Sequence, residues 1–151
     1  MARVRSATAA DLGRIVEIAS ESGGASQWSM EDYEKLFTPE TMQKSEVLVA
    51  EDAGKVIGFL VARAVDIEWD IENIAVSPAA RRHGIGSQML AEFLNRARQS
   101  GGATVSLEVR ESNIPARKLY ETMGFALSGR RKEYYRSPAE DALIMKLLFR
   151  A

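Results

Sequence analysis

Arg81-x-x-Gly84-x-Gly86 is the stretch of this chain whose residue types and spacing most directly suit chemistry with an anion. A β-prone apolar run, residues 71–76, leads into Ser77-Pro78. A turn carrying Arg81, Arg82 and His83 follows, and Gly84-Ile85-Gly86-Ser87 opens a long amphipathic segment. Strand, glycine-bearing turn and helix start, in that order, put bare backbone N–H groups and the positive end of a helix at one place. Small residues let a phosphate approach the backbone closely, and the arginines add charge. The same residues also suit a plain strand-to-helix turn with solvated arginines. Two familiar nucleotide loops are ruled out. Met89 stands where G-x-G-x-x-G needs its third glycine, and no G-K-[ST] follows.

Further chemistry lies downstream. Residues 104–110 alternate, with Val105, Leu107 and Val109 on one face and Ser106, Glu108 and Arg110 on the other. Taken alone, Glu108 is an exposed strand carboxylate in an ion pair as readily as a base. Tyr120 follows Asn113 by two helical turns, so both can face one cleft, although a half-buried core tyrosine fits the spacing equally well. Arg130, Arg131, Lys132, Tyr134 and Tyr135 form a concentrated basic-aromatic patch, expected on a loop over residues 129–138. Such a loop is either solvated or a lip that packs tyrosines on a substrate, with Trp28, Glu68 and Trp69 contributing from the opposite side. The absence of cysteine excludes disulfides, thiolate catalysis and cysteine-bound metals. His83 is the lone histidine and the carboxylates show no ligand spacing, so no metal site is expected.

The chain has 151 residues, 46% hydrophobic and 27% charged, which predicts one soluble domain spanning residues 1–151. A formal net charge of -1 provides no whole-molecule attraction to nucleic acid or to an anionic membrane, so neither is expected as a direct partner. No run approaches the ~18 apolar residues of a membrane span, and the first residues lack the apolar core of a signal peptide. A cytoplasmic protein, monomeric or weakly dimeric, is the expectation.

Capping patterns at Thr8–Asp11 and Ser29–Asp32 predict two early helices, separated by a small, polar loop over residues 22–28 that is free to line something. Residues 46–51 and 56–65 read as strands joined by the hairpin turn Asp52-Ala53-Gly54-Lys55. After Gly84, apolar residues recur at helical spacing until Gly101-Gly102. Asn113 can cap a short helix with Pro115 in its first turn, ending at Gly124. Residues 125–128 and 142–148 read as two last strands. The order β-α-α-β-β-β-α-β-α-β-β predicts an α/β (α+β) fold in which helices cover a mixed sheet.

The segment Arg81-Arg82-His83-Gly84-Ile85-Gly86 after N-I-A-V-S-P resembles the acetyl-CoA-binding motif of the GCN5-related N-acetyltransferases (GNAT). Leu107–Asn113 (L-E-V-R-E-S-N), Leu119–Phe125 (L-Y-E-T-M-G-F), Gly129–Tyr135 (G-R-R-K-E-Y-Y), Glu140–Met145 (E-D-A-L-I-M) and Gln27-Trp28-Ser29 are similar to the bacterial ribosomal-protein N-terminal alanine acetyltransferases within that family. The resemblance covers nearly the whole chain. It implies a twisted mixed sheet of about seven strands flanked by about four helices, with acetyl-CoA entering where two central strands part. It also implies that the backbone of Ile74, Ala75 and Val76 holds the pantetheine arm, and that amides from Arg82 to Ser87, with Arg81 nearby, cradle the pyrophosphate. Asn113 would touch the cofactor, Glu108 would be the general base and Tyr120 the general acid. The implied acceptor is a protein N-terminus, with a small-subunit ribosomal protein as the candidate.

Acetyl transfer to an amine needs a neutral nucleophile, a polarised carbonyl and a proton for the leaving thiolate. Without cysteine or a plausible serine–histidine pair, transfer should be direct. Deprotonating an α-amine at pH 7 costs about 1–1.4 kcal/mol, whereas a lysine amine costs about 4.6 kcal/mol. One carboxylate and a water path suffice for the first. Two alternatives stay open: the same chemistry on a small-molecule amine or a lysine, and a non-catalytic acyl-CoA-binding module.

Overall fold

A computed structural model of the chain describes residues 2–22, 28–136 and 139–149. Seven strands form one sheet: β1 (Arg3–Ser6), β2 (Ser45–Asp52), β3 (Lys55–Val65), β4 (Glu68–Val76), β5 (Thr104–Arg110), β6 (Ala126–Arg136) and β7 (Ala139–Leu148). Their spatial order is β1-β2-β3-β4-β5-β7-β6. Only β4 and β5 run parallel, because α4 (Ile85–Gln99) carries the chain back between them. The other helices are α1 (Leu12–Glu21), α2 (Met30–Lys35), α3 (Pro39–Met42) and α5 (Ile114–Thr122).

The early helices start where their caps stand. Asp11 accepts the Thr8 N–H at 2.8 Å. Ser29 Oγ accepts the Asp32 N–H at 3.2 Å while Asp32 accepts the Ser29 N–H at 2.8 Å. Ala53 and Gly54 take φ of 52° and 78°, the left-handed pair that a two-residue hairpin turn requires. Residues 23–27, most of the loop expected between the first two helices, lie outside the described residues.

Two cores cover the two faces. On one, Met89, Leu90, Phe93 and Ala97 of α4, with Tyr120 of α5, pack on Leu60, Ile71, Val105 and Leu107. On the other, Ile15 and Ile18 of α1 and Tyr33 and Leu36 of α2 pack on Val49, Phe59 and Val61. Asn73 Nδ2 donates to the Tyr33 hydroxyl at 3.1 Å, joining β4 to α2 within that second core. On the second face α1 and α2 cover β2, β3 and the Asn73–Ala75 end of β4, and an open groove lies over the Glu68–Glu72 end of β4 with Thr104 and Ser106 of β5 and Lys146 of β7.

Two expectations need correction. Residues 129–136 are not a loop: β6 runs from Ala126 to Arg136 and pairs with β7, with register shifts between Leu127/Gly129 and Arg131/Tyr135. Its residues are mostly exposed, with a charged run over residues 130–133, which suits an edge strand but hides the alternation by which strands are read. The two early helices expected are also followed by a third, the short α3 that Pro39 opens.

Candidate active site

The parallel pairing of β4 and β5 runs from Glu68↔Thr104 to Ile71↔Leu107 and then ceases. Beyond it β4 keeps its bonds to β3, through Leu60↔Ile74, Phe59↔Ala75 and Gly58↔Val76, so its β5-facing edge is unpaired along Ile74, Ala75 and Val76. A bulge at Glu72, which has no partner between Val61↔Asn73 and Ala62↔Ile71, marks the place where the strands part. Gly58 is needed here. A Cβ on it would lie 3.0 Å from Met89 Cε and 3.2 Å from the Ala75 carbonyl oxygen, so its absence lets α4 sit close on β3 and β4.

At the open end of β4 the anion turn has a specific shape. Arg82 and Gly84 take φ of 68° and 75°, and Gly84 caps the 15-residue α4. The Arg81 N–H bonds the Pro78 carbonyl and the Gln88 N–H bonds Gly84, yet no amide of residues 82–87 donates to a backbone carbonyl. A row of free N–H groups at a helix start fits a pyrophosphate, and the unpaired edge of β4 fits an extended pantetheine arm. Arg81 turns its Nε back to the Val76 carbonyl at 3.3 Å, while Arg82, His83 and Ser87 are exposed. Asn113 is the N-cap of α5, its Oδ1 accepting the Ala116 N–H at 3.3 Å, which leaves its amide NH₂ for other partners.

Glu108 stands on the uncovered face of β5, half-buried, with Oε1 3.1 Å from Arg131 Nε. Tyr120 is buried against Phe125, and burial pushes its phenol up to about 12. No described side-chain oxygen is both buried and unpartnered, and Tyr120 has no hydrogen-bond partner among the described residues, so its hydroxyl keeps some access to solvent. Tyr135 couples the two. It lies close enough to Tyr120 to raise it further and to Glu108 to be raised by it, while its ring sits 4.1 Å below the Arg110 guanidinium.

The expected substrate residues divide. Arg131, Tyr134 and Tyr135 come to Glu108: Arg131 stacks 5.3 Å over Tyr134, and Tyr134 meets Tyr135 edge-on at 5.2 Å. Arg130 is turned to Glu111 and Asp141, at 2.7 and 2.8 Å. Trp28 packs on Tyr33 at 5.2 Å and lines a hollow beside α2 and α3. Trp69 sends its ring edge-on to Phe93 beneath α4, at 5.4 Å, and both it and the exposed Glu68 line the open groove beside β5.

Sequence reasoning missed the floor of the groove. An open groove of about 420 Å³ runs along the uncovered face, lined among others by Arg63, Asp70, Glu72, Ser106 and Lys146. The hollow beside α2 and α3 shares Arg63 and Glu72 with it. Burial raises both Asp70, to about 6, and Glu72 above the ordinary carboxylate range. Asp70 keeps contact with solvent, but the concave wall and the neighbouring charges of Glu72 and Glu108 disfavour its ionised form. Among the described residues no group of histidines and carboxylates could hold a metal ion, and no helix is long and apolar enough to cross a membrane.

Residues 12–125 match the model of the acetyltransferase (GNAT) family. The chain belongs to that family. A Bacillus subtilis relative, provisionally named as a [ribosomal protein bS18]-alanine N-acetyltransferase, is 33% identical over 146 residues, covering 95% of this chain and 93% of its own. The crystal structure of the ribosomal-protein-S18-alanine N-acetyltransferase from Escherichia coli superposes with a TM-score of 0.89 at 30% identity, covering 100% of this chain and 96% of that one. A Salmonella typhimurium acetyltransferase structure with its cofactor acetyl-CoA shares the fold, with a TM-score of 0.86 at 20% identity. This GNAT protein is an acyltransferase that uses acetyl-CoA, and its sheet of seven strands has the topology of that family.

Proposed function

We propose that this enzyme acetylates the N-terminal α-amine of a protein, with a small-subunit ribosomal protein as acceptor and the cytoplasm as its place of work. The observation that carries the reading is the open face itself. It presents Glu108 beside a lip of Arg131, Tyr134 and Tyr135, with an open groove of about 420 Å³ on the same face. The similarity to proteins named for alanine N-acetylation of bS18 supports that acceptor.

When bound, acetyl-CoA supplies an activated acetyl thioester. The amides of residues 82–87 would hold its pyrophosphate and the free edge of Ile74, Ala75 and Val76 its arm, leaving the reacting end near the parting of β4 and β5. Glu108 receives a proton from the acceptor ammonium, directly or through water. Its Oε2 has no partner among the described residues, whereas Oε1 is fixed by Arg131. Tyr120 stays neutral throughout the working range and donates a hydrogen bond to the departing sulfur.

Two experiments test this. Peptides with free and blocked N-termini, each carrying lysines, should differ strongly in rate; equal acetylation of the blocked set would make lysine the acceptor. Tyr120→Phe should lower kcat by about 10- to 100-fold, the scale of one lost hydrogen-bond donor. Because the phenol is protonated well below about 12, that loss should be the same from pH 6 to pH 9. Unchanged turnover would remove Tyr120 from the reaction.

A further inference from the structure

We propose that Asp70 is a second proton acceptor of this transferase site, taking up by way of Ser106 and water the proton that Glu108 draws from the acceptor amine. The parallel register puts Asp70 directly opposite Ser106, whose Oγ donates to Asp70 Oδ1 at 3.4 Å. Glu108 lies two residues further along the same face of β5, about 6.6 Å on. The ladder ends one residue past this pair, so Asp70, Ser106 and Glu108 form a continuous polar track from the floor of the groove to the point where the strands separate.

Charge distribution gives the two carboxylates different tasks. Glu108 is already paired with Arg131 at 3.1 Å, whereas Asp70 makes no ion pair among the described residues. Asp70 is faced by Glu68 and Glu72 on its own strand, Glu108 on β5, Arg63 opposite it on β3, Lys146 on β7 and Arg131 on β6. Of these, Glu72 and Glu108 raise its affinity for a proton and Arg131 lowers it, burial having the largest effect and bringing it to about 6. An α-ammonium near ~7.8 loses its proton to such a group with a disadvantage of roughly 60-fold, against a few thousand-fold for an ordinary glutamate near ~4.3. In the step itself the nitrogen lone pair forms the amide bond as the carbon–sulfur bond breaks. The first proton of the ammonium, taken by Glu108, moves along the track to Asp70; the second leaves the nitrogen as the amide forms and reaches the released thiolate through solvent, with Tyr120 donating a hydrogen bond to the sulfur and keeping its own proton.

The proposal rests on Glu108 as the group nearest the amine, and the test separates the two. Wild type, Asp70→Asn, Asp70→Glu and Glu108→Gln are assayed for kcat with one acetylatable peptide between pH 5 and pH 9, and for acetyl-CoA affinity. Asparagine mimics the protonated aspartate. The ratio of wild-type kcat to that of D70N should therefore be tenfold or more at pH 8 and fall toward unity as the pH drops through about 6. D70E should retain most of the activity, with acetyl-CoA affinity unchanged in all variants. A ratio that is constant with pH, or near unity throughout, overturns the proposal. If at the same time Glu108→Gln is inactive, the reading of Glu108 survives that failure. If Glu108→Gln is active while the D70N ratio still varies with pH, Asp70 stands and the assignment of Glu108 falls.

Discussion

Glu108→Gln is expected to lower kcat by about 10²- to 10⁴-fold with acetyl-CoA affinity unchanged. The glutamine keeps the shape of the side chain and an oxygen able to accept from Arg131, so β6 should stay in place against β5. What it loses is the negative charge that meets an ammonium ion and the basicity that removes its proton. The effect corresponds to about 2.7–5.5 kcal/mol of barrier, more than one hydrogen bond contributes. The donor's phosphates would be held by amides of residues 82–87, on a turn to which Glu108 does not contribute. Steady-state kinetics on a free-N-terminus peptide, with calorimetric titration of acetyl-CoA, checks both halves. A kcat within threefold of wild type would end the assignment.

The local elements of this site were legible in the sequence and the contacts between its strands were not, for physical reasons. The turn at Arg81-x-x-Gly84-x-Gly86, the alternating strand around Glu108 and the Asn113 cap are local patterns, set by residues within one or two turns of each other. Each appears in the structure where its pattern puts it. The acceptor groove is made by register. Asp70 meets Ser106 across a parallel ladder closed only by α4, 36 residues apart in sequence, and Glu72 shares the same floor with Lys146 of β7. Nothing in the composition of residues 68–72 announces either contact. The pairing of Arg131 with Glu108 was hidden for a related reason. It requires β6 to continue past Gly129, and that strand's exposed, charged residues give no alternating signal.

The two sides differ in what fixes them as well as in how they are read. The turn proposed to hold the donor offers backbone, and its shape follows from φ values at Arg82 and Gly84 and from the seating of α4 on β3 through Gly58. The face proposed for the acceptor offers side chains on strands, held by ion pairs such as Arg130 with Glu111 and Asp141. Side-chain changes on the open face can therefore be made without disturbing the backbone turn proposed for the donor.

Phe93→Ala is expected to destabilise the enzyme by about 3–5 kcal/mol. Phe93 is fully buried at the centre of α4, touches Trp69 edge-on at 5.4 Å, and sits in the cluster that joins α4 to β4 and β5. Truncation removes its transfer free energy and leaves a cavity that α4, pinned at Gly58 through Met89 and Ile85, cannot collapse to fill. For a chain of this size the melting temperature should fall by roughly 6–20 °C, whereas Met42→Ala, at an exposed position on α3, should shift it little. The amides of residues 82–87 are untouched by the change. Acetyl-CoA at about 100 times its Kd should thus return roughly 2.7 kcal/mol to variant and wild type alike. Equal stabilisation would mean that the core under α4 sets how much of the chain is folded, while the turn sets how tightly the folded chain holds its donor. A variant that gains markedly less would mean that Phe93 also shapes the cradle.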